Sequence, residues 1–198
     1  MWKIQGSKYL AASVWEEIRP RKVKKEWHKL VWTSLSIQKH AVITWMVVLD
    51  RLPTLVRMAS WGIEVNSLCK LCQNGDETRD HLFFQCSYSN DVWRIILQLC
   101  GLNRRVMTWF DELVWTVKRL KGRALLSVIM PLAWRASIYY IWRERNRKMH
   151  GHIPENTDQI VEHVKHDVRI RTTSLQGVVN DSVNSLICHN WELSMICN

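Results

Sequence analysis

Four potential metal ligands fall within eighteen residues of this chain: Cys69 and Cys72, then His81, then Cys86. They sit in the run LCKLCQNGDETRDHLFFQCSYSNDVW, residues 68–93, with the pattern Cys-x2-Cys-x8-His-x4-Cys. Two thiols separated by two residues can reach one ion from a tight turn, and a third thiol with an imidazole completes a tetrahedral Zn²⁺ shell. Four protein ligands leave no position for water or substrate. The spacing therefore predicts a single structural zinc, not a catalytic one. Cys100, Cys188 and Cys197 have no partner at ligand spacing and read as packed or exposed thiols.

Thiols act as metal ligands where the compartment is reducing. The segment MWKIQGSKYLAASVWEEI carries Lys3, Lys8, Glu16 and Glu17 where a secretory signal would carry an apolar run. The longest uncharged apolar runs, near residues 40–49 and 124–134, fall short of the ~20 residues that span a bilayer. The expectation is an intracellular chain, nuclear or cytoplasmic, with no membrane partner.

Seven Gly and four Pro among 198 residues, beside twelve Trp, favour helices over a many-turned sheet fold. Periodicity predicts a helix over 7–18, with Leu10, Val14 and Ile18 on one face, and a buried helix over 36–49. Pro53 ends that element and Thr54 can cap a short one closing near Gly62. Within the Cys/His run, Gln73-Asn74-Gly75 reads as a turn and residues 77–85 as a helical turn carrying His81. Ser87, Ser89 or Asn90 can cap the helix that follows, and Thr108 can cap another whose Asp111 and Glu112 suit its positive end. A long helix over 123–150, kinked at Pro131, precedes one opened by Pro154 and Thr157. The fold class is thus mostly α: an irregular helical domain with a small Cys3His knuckle-like loop, followed by a long-helix segment. We divide it into a zinc-binding domain over 1–104 (core 15–94), a helical extension over 105–175 and an irregular tail over 176–198.

The net charge of +10 is uneven: +5 over residues 1–50, zero over 51–100, +8 over 101–150 and −3 over 151–198. The zinc segment is neutral and the basic surface flanks it. Two clusters stand out: Arg19, Arg21, Lys22, Lys24 and Lys25 around Pro20, and Arg143, Arg145, Arg147 and Lys148. Such runs fit the phosphates of RNA or DNA, bound with steep salt dependence and little sequence preference. Catalytic patterns are missing: no Gly-rich phosphate loop, no G-x-S-x-G, no H-E-x-x-H and no Asp-Asp pair. Acidic pairs such as Asp76-Glu77 and Asp111-Glu112 read as helix-start or solvated charges. The chain reads as a non-enzyme with no small-molecule substrate.

Trp27 and Trp32, IQKHAVITWMVVLDRLPT at 37–54, LCKLCQNGDETRDHLFFQC at 68–86 and Val92-Trp93 together resemble a known family. It is the zinc-binding domain downstream of the reverse transcriptase in plant non-LTR (LINE-type) retrotransposons. Gln38 stands where the family usually has Pro. IYYIWRERNRKMHG at 138–151 resembles the segment that follows this domain in those polyproteins. The resemblance implies zinc held by Cys69, Cys72, His81 and Cys86, and polymerase and nuclease domains as neighbours or partners in trans. It implies an accessory role in holding nucleic acid for a polymerase supplied elsewhere. The competing expectation is a scaffold domain that packs on the polymerase through an apolar face of Trp2, Trp15, Trp27 and Trp32, or an inert remnant of such an element.

Overall fold

The computed structural model describes residues 25–120, 124–175, 177–179 and 181–193. The expected helix over 7–18 lies outside them, as do Arg19, Arg21, Lys22 and Lys24. Among the described residues the chain is helical, with a single isolated antiparallel bridge, Leu68 to Asp76. In chain order the helices are α1 (His28–Val31), α2 (Gln38–Val48), α3 (Leu55–Ser60), a π-helical turn (His81–Gln85) and α4 (Ser87–Leu99). They continue with α5 (Trp109–Arg119), α6 (Leu125–Met149), α7 (Thr157–Thr172) and α8 (Ser182–Trp191).

Helix α6 is the axis of the molecule. It runs as one element through Pro131, and both its flanks are covered by neighbouring helices. At 25 residues, with one 18-residue window apolar enough, it could cross a membrane by length and composition, but 78% of that window is buried inside the fold. An amphipathic surface helix would show one apolar stripe; α6 is covered on most sides, so apolar residues recur all round it. Trp134, fully buried at its centre, meets Trp109 of α5 at 5.5 Å and Phe84 of the π-helical turn at 6.3 Å. Buried residues from Leu30 to Leu193 form one continuous core, which both the zinc-binding segment and the helical extension share.

Helix ends follow local chemistry. Thr108 accepts a hydrogen bond from the Asp111 N–H, as its position predicts. Glu112 stands in the helix's first turn, as expected, and is fully buried there. It takes a bidentate pair from Arg104, at 2.7 and 2.8 Å, and the Met107 N–H. Helix α7 opens at Thr157, as expected, and is capped by Asn156 in a reciprocal box with Gln159. Asn156→Ala should therefore cost about 1 kcal/mol in a denaturant titration.

The tail departs from expectation. Residues 182–191 form α8, capped by Asp181, which accepts from the Asn184 N–H, and ended by Glu192 at φ 56°. Its pattern was hard to read because Val183 and Leu186 face outward, while Ile187, Cys188 and Trp191 are buried. Cys188 is disulfide-bonded, not a free thiol, whereas Cys100 is free and buried. His40, one of the scattered histidines, is a core residue. Burial pushes its pKa down to about 4, so the imidazole facing Asp167 at 3.4 Å is neutral.

Candidate metal centre

The ligand loop is folded by its own turn chemistry. Cys69 N–H donates to Gly75 O and Gln73 N–H to Cys69 O, both at 2.9 Å, closing a tight knuckle over Cys69–Cys72. Gln73 and Gly75 take positive φ, 57° and 76°. Space also favours Gly75: a Cβ there would lie 3.3 Å from the His81 ring, a tight contact.

The second half of the ligand set comes from the π-helical turn. In it the Cys86 N–H reaches His81 O at 2.6 Å, an i to i+5 bond. A π turn brings residues five apart into line, so His81 and Cys86 face the same side. An ordinary α turn would rotate them apart. Ser89 Oγ and Asn90 Nδ2 donate to Leu82 O and Phe84 O, satisfying carbonyls that the widened turn frees. Leu82, Phe83 and Phe84 all point into the core, where the two Phe rings pack on Trp109. The aromatic core thereby fixes the position of two ligands.

All four ligand atoms lie within 4.8 Å of one another. Cys69 and Cys86 Sγ are 3.9 Å apart, and Cys72 Sγ is 3.2 Å from His81 Nε2. A tetrahedral zinc with Zn–S bonds of about 2.3 Å separates its sulfurs by about 3.8 Å. The donor set and spacing fit that ion. Cys69 Sγ donates to Cys86 Sγ, which raises the Cys69 thiol and lowers Cys86. A cation would take the place of that shared proton. Burial lowers the His81 pKa, which favours the neutral imidazole that a metal requires. Zinc here would cross-link the knuckle to the π turn and, with four protein donors, would offer no open position for chemistry.

Around the ligands lies a feature the sequence did not disclose. Glu77, expected to be solvated, is fully buried between Cys72 and His81 in sequence. Its Oε1 accepts from Leu55 N–H at the start of α3, and its Oε2 from Lys70 N–H inside the knuckle. Arg145 of α6 completes it, with Nη2 and Nε at 2.7 and 2.9 Å from Oε1 and Nη2 also on Pro53 O. Arg145 is 4% exposed. Its place as a phosphate contact is therefore corrected: it is the buried counter-ion of the zinc loop. Lys148 likewise turns inward, its Nζ 3.2 Å from Leu71 O. The signal was faint, since nothing local marks a Glu whose partner stands 68 residues away.

Arg143 and Arg147 point elsewhere and are partly exposed, each paired with Glu155 at 3.0 and 2.8 Å. Lys25, at the first described position, is exposed. The structure thus splits the basic segment of α6 between two directions.

Residues 9–93 match a family described as zinc-binding in reverse transcriptase. No curated protein and no solved structure matches the chain.

Proposed function

We propose that this chain, whose residues 9–93 belong to the reverse transcriptase zinc-binding family, is a non-catalytic accessory module that holds RNA or DNA for a polymerase acting elsewhere. The observation that carries the reading is the closed Cys69, Cys72, His81 and Cys86 cluster, which fits a structural ion and offers no reactive position. In this reading zinc is the staple and the basic surface is the contact. Support comes from the charge, +10 overall with a neutral zinc segment. The chain would originate from a LINE-type retroelement polyprotein and work inside the cell beside polymerase and nuclease domains.

Phosphate contacts would come from Arg143 and Arg147, from Lys25 and from the basic run Arg19, Arg21, Lys22 and Lys24. Affinity would then depend on salt more than on sequence. The test is fluorescence anisotropy of the full, zinc-loaded chain with single-stranded RNA, single-stranded DNA and duplex DNA. We expect binding that weakens at least tenfold between 50 and 200 mM salt, about what three or more phosphate contacts produce. A folded, zinc-loaded chain that binds none of the three would leave the scaffold reading, in which the charges only solvate.

A further inference from the structure

Helix α6 presents two chemically different edges over its last three turns. Arg145 and Lys148 turn to the zinc loop, as described above. Tyr139, Trp142, Arg143, Asn146, Arg147 and His150 recur at i, i+3, i+4, i+7, i+8 and i+11, the spacing of one helical stripe. That stripe, with Ile43 of α2 and His152 beyond the helix end, lines an open groove of about 460 Å³. Aromatic rings, guanidinium groups, an amide and two imidazoles therefore share one concave surface.

We propose that this groove binds a nucleotide of single-stranded nucleic acid, an inference that deepens the nucleic-acid reading above and rests on it. The volume lies within the range of sites that take a small ligand or one nucleotide. Tyr139 and Trp142, the latter 8% exposed, form the aromatic part of the lining, and Lys39 of α2 sits 5.0 Å over the Tyr139 ring, on which His40 also packs at 4.4 Å. An unstacked base finds both kinds of contact here, whereas a duplex keeps its bases covered.

The two arginines are held in place, not free to sample many rotamers. Arg143 is bound by Glu144 and Glu155, and Arg147 by Glu155 with Glu144 3.6 Å away. Glu144 is fully buried, while Arg143 and Arg147 keep 30% and 40% of their side chains exposed. The carboxylates fix the guanidinium groups, and both arginines line the groove together with His150 and His152. Trp142 is fixed from behind by Arg145, whose guanidinium lies 4.8 Å from its ring. Because Arg145 is itself pinned by Glu77, the zinc loop supports the floor of the groove.

The experiment compares the full zinc-loaded chain with Arg147→Gln/His150→Gln and with Lys29→Gln/Lys118→Gln, a control pair of exposed lysines on α1 and α5. The probe is a labelled oligouridylate, titrated by anisotropy across a salt series, with zinc content and helical circular dichroism checked for each protein. The groove variant should bind about tenfold more weakly, and its log–log salt slope should flatten by about 0.7, the share of the one single-strand phosphate contact that Arg147 makes. The control pair should lose threefold or less. A 4-thiouridine probe should crosslink to the peptide containing Tyr139 and Trp142. Unchanged affinity in a folded groove variant would overturn the groove while leaving nucleic-acid binding intact. Binding preferred to duplex would overturn the single-strand assignment. No binding by the unaltered chain would overturn both readings.

Discussion

Stripping the metal with a strong chelator should abolish the cooperative thermal transition of this protein. Structural zinc in small sites contributes on the order of 10 kcal/mol, comparable with the roughly 5–15 kcal/mol that holds a whole domain together. The reason lies in what the ion joins. The knuckle at Cys69–Cys72 and the π turn carrying His81 and Cys86 bring their four ligand atoms within 4.8 Å of one another. The same turn sends Phe83 and Phe84 against Trp109 and, through Phe84, Trp134. Releasing the turn therefore loosens the aromatic core, not only a surface loop. Cys86→Ala should act in the same direction, and near-ultraviolet circular dichroism, which reports packed Trp, is the suitable readout. A chelated chain that kept its melting temperature and its near-ultraviolet signal would refute the stapling role.

The second large effect belongs to the pair Glu77 and Arg145. Removing one partner of a buried, hydrogen-bonded ion pair leaves the other charge without compensation and costs about 3–5 kcal/mol. For a chain of this size that corresponds to a fall in melting temperature of roughly 6–20 °C. Arg145→Ala should show it, because the guanidinium serves Glu77 and Pro53 O at once. Glu77→Ala should lose as much and in addition leave Lys70 N–H and Leu55 N–H without their acceptor. Replacing both residues together by apolar ones of similar volume should cost less than the sum, since no lone charge remains. Thermal melts of the two single variants and the double variant measure this, and strict additivity would contradict a direct pair.

These two predictions mark where the sequence was legible and where it was not. The ligand set was readable because Cys69, Cys72, His81 and Cys86 lie within eighteen residues and turn formation is local. The cap at Thr108 was readable for the same reason, with Asp111 and Glu112 directly after it. The burial of Glu77, Glu112 and Arg145 was not legible, because burial of a charge depends on a partner that local pattern does not indicate. Arg104 lies 8 residues from Glu112, and Arg145 lies 68 from Glu77. A run such as Arg143, Arg145, Arg147 and Lys148 looks uniformly basic along the chain, yet helical rotation sends its members to different faces. The π turn was equally hidden, since its extra residue is set by the demand that His81 and Cys86 converge. Helix α8 was missed because its apolar residues are divided between a buried and an exposed side.

The Cys/His loop thus has two roles: it brings four potential metal ligands together, and through Glu77 it receives the long helix that carries the basic residues. Its ligand set is most directly tested by replacing zinc with cobalt(II) and recording the visible and near-ultraviolet spectrum of the full chain. Three thiolates and one imidazole in a closed tetrahedral shell predict intense d–d bands, strong thiolate-to-cobalt charge transfer and saturation at one equivalent. Cys86→Ala should lower the charge-transfer intensity by about one third, as one of three thiolates is lost. Weak bands of a six-coordinate ion, or a spectrum indifferent to Cys86→Ala, would contradict the Cys69, Cys72, His81 and Cys86 centre.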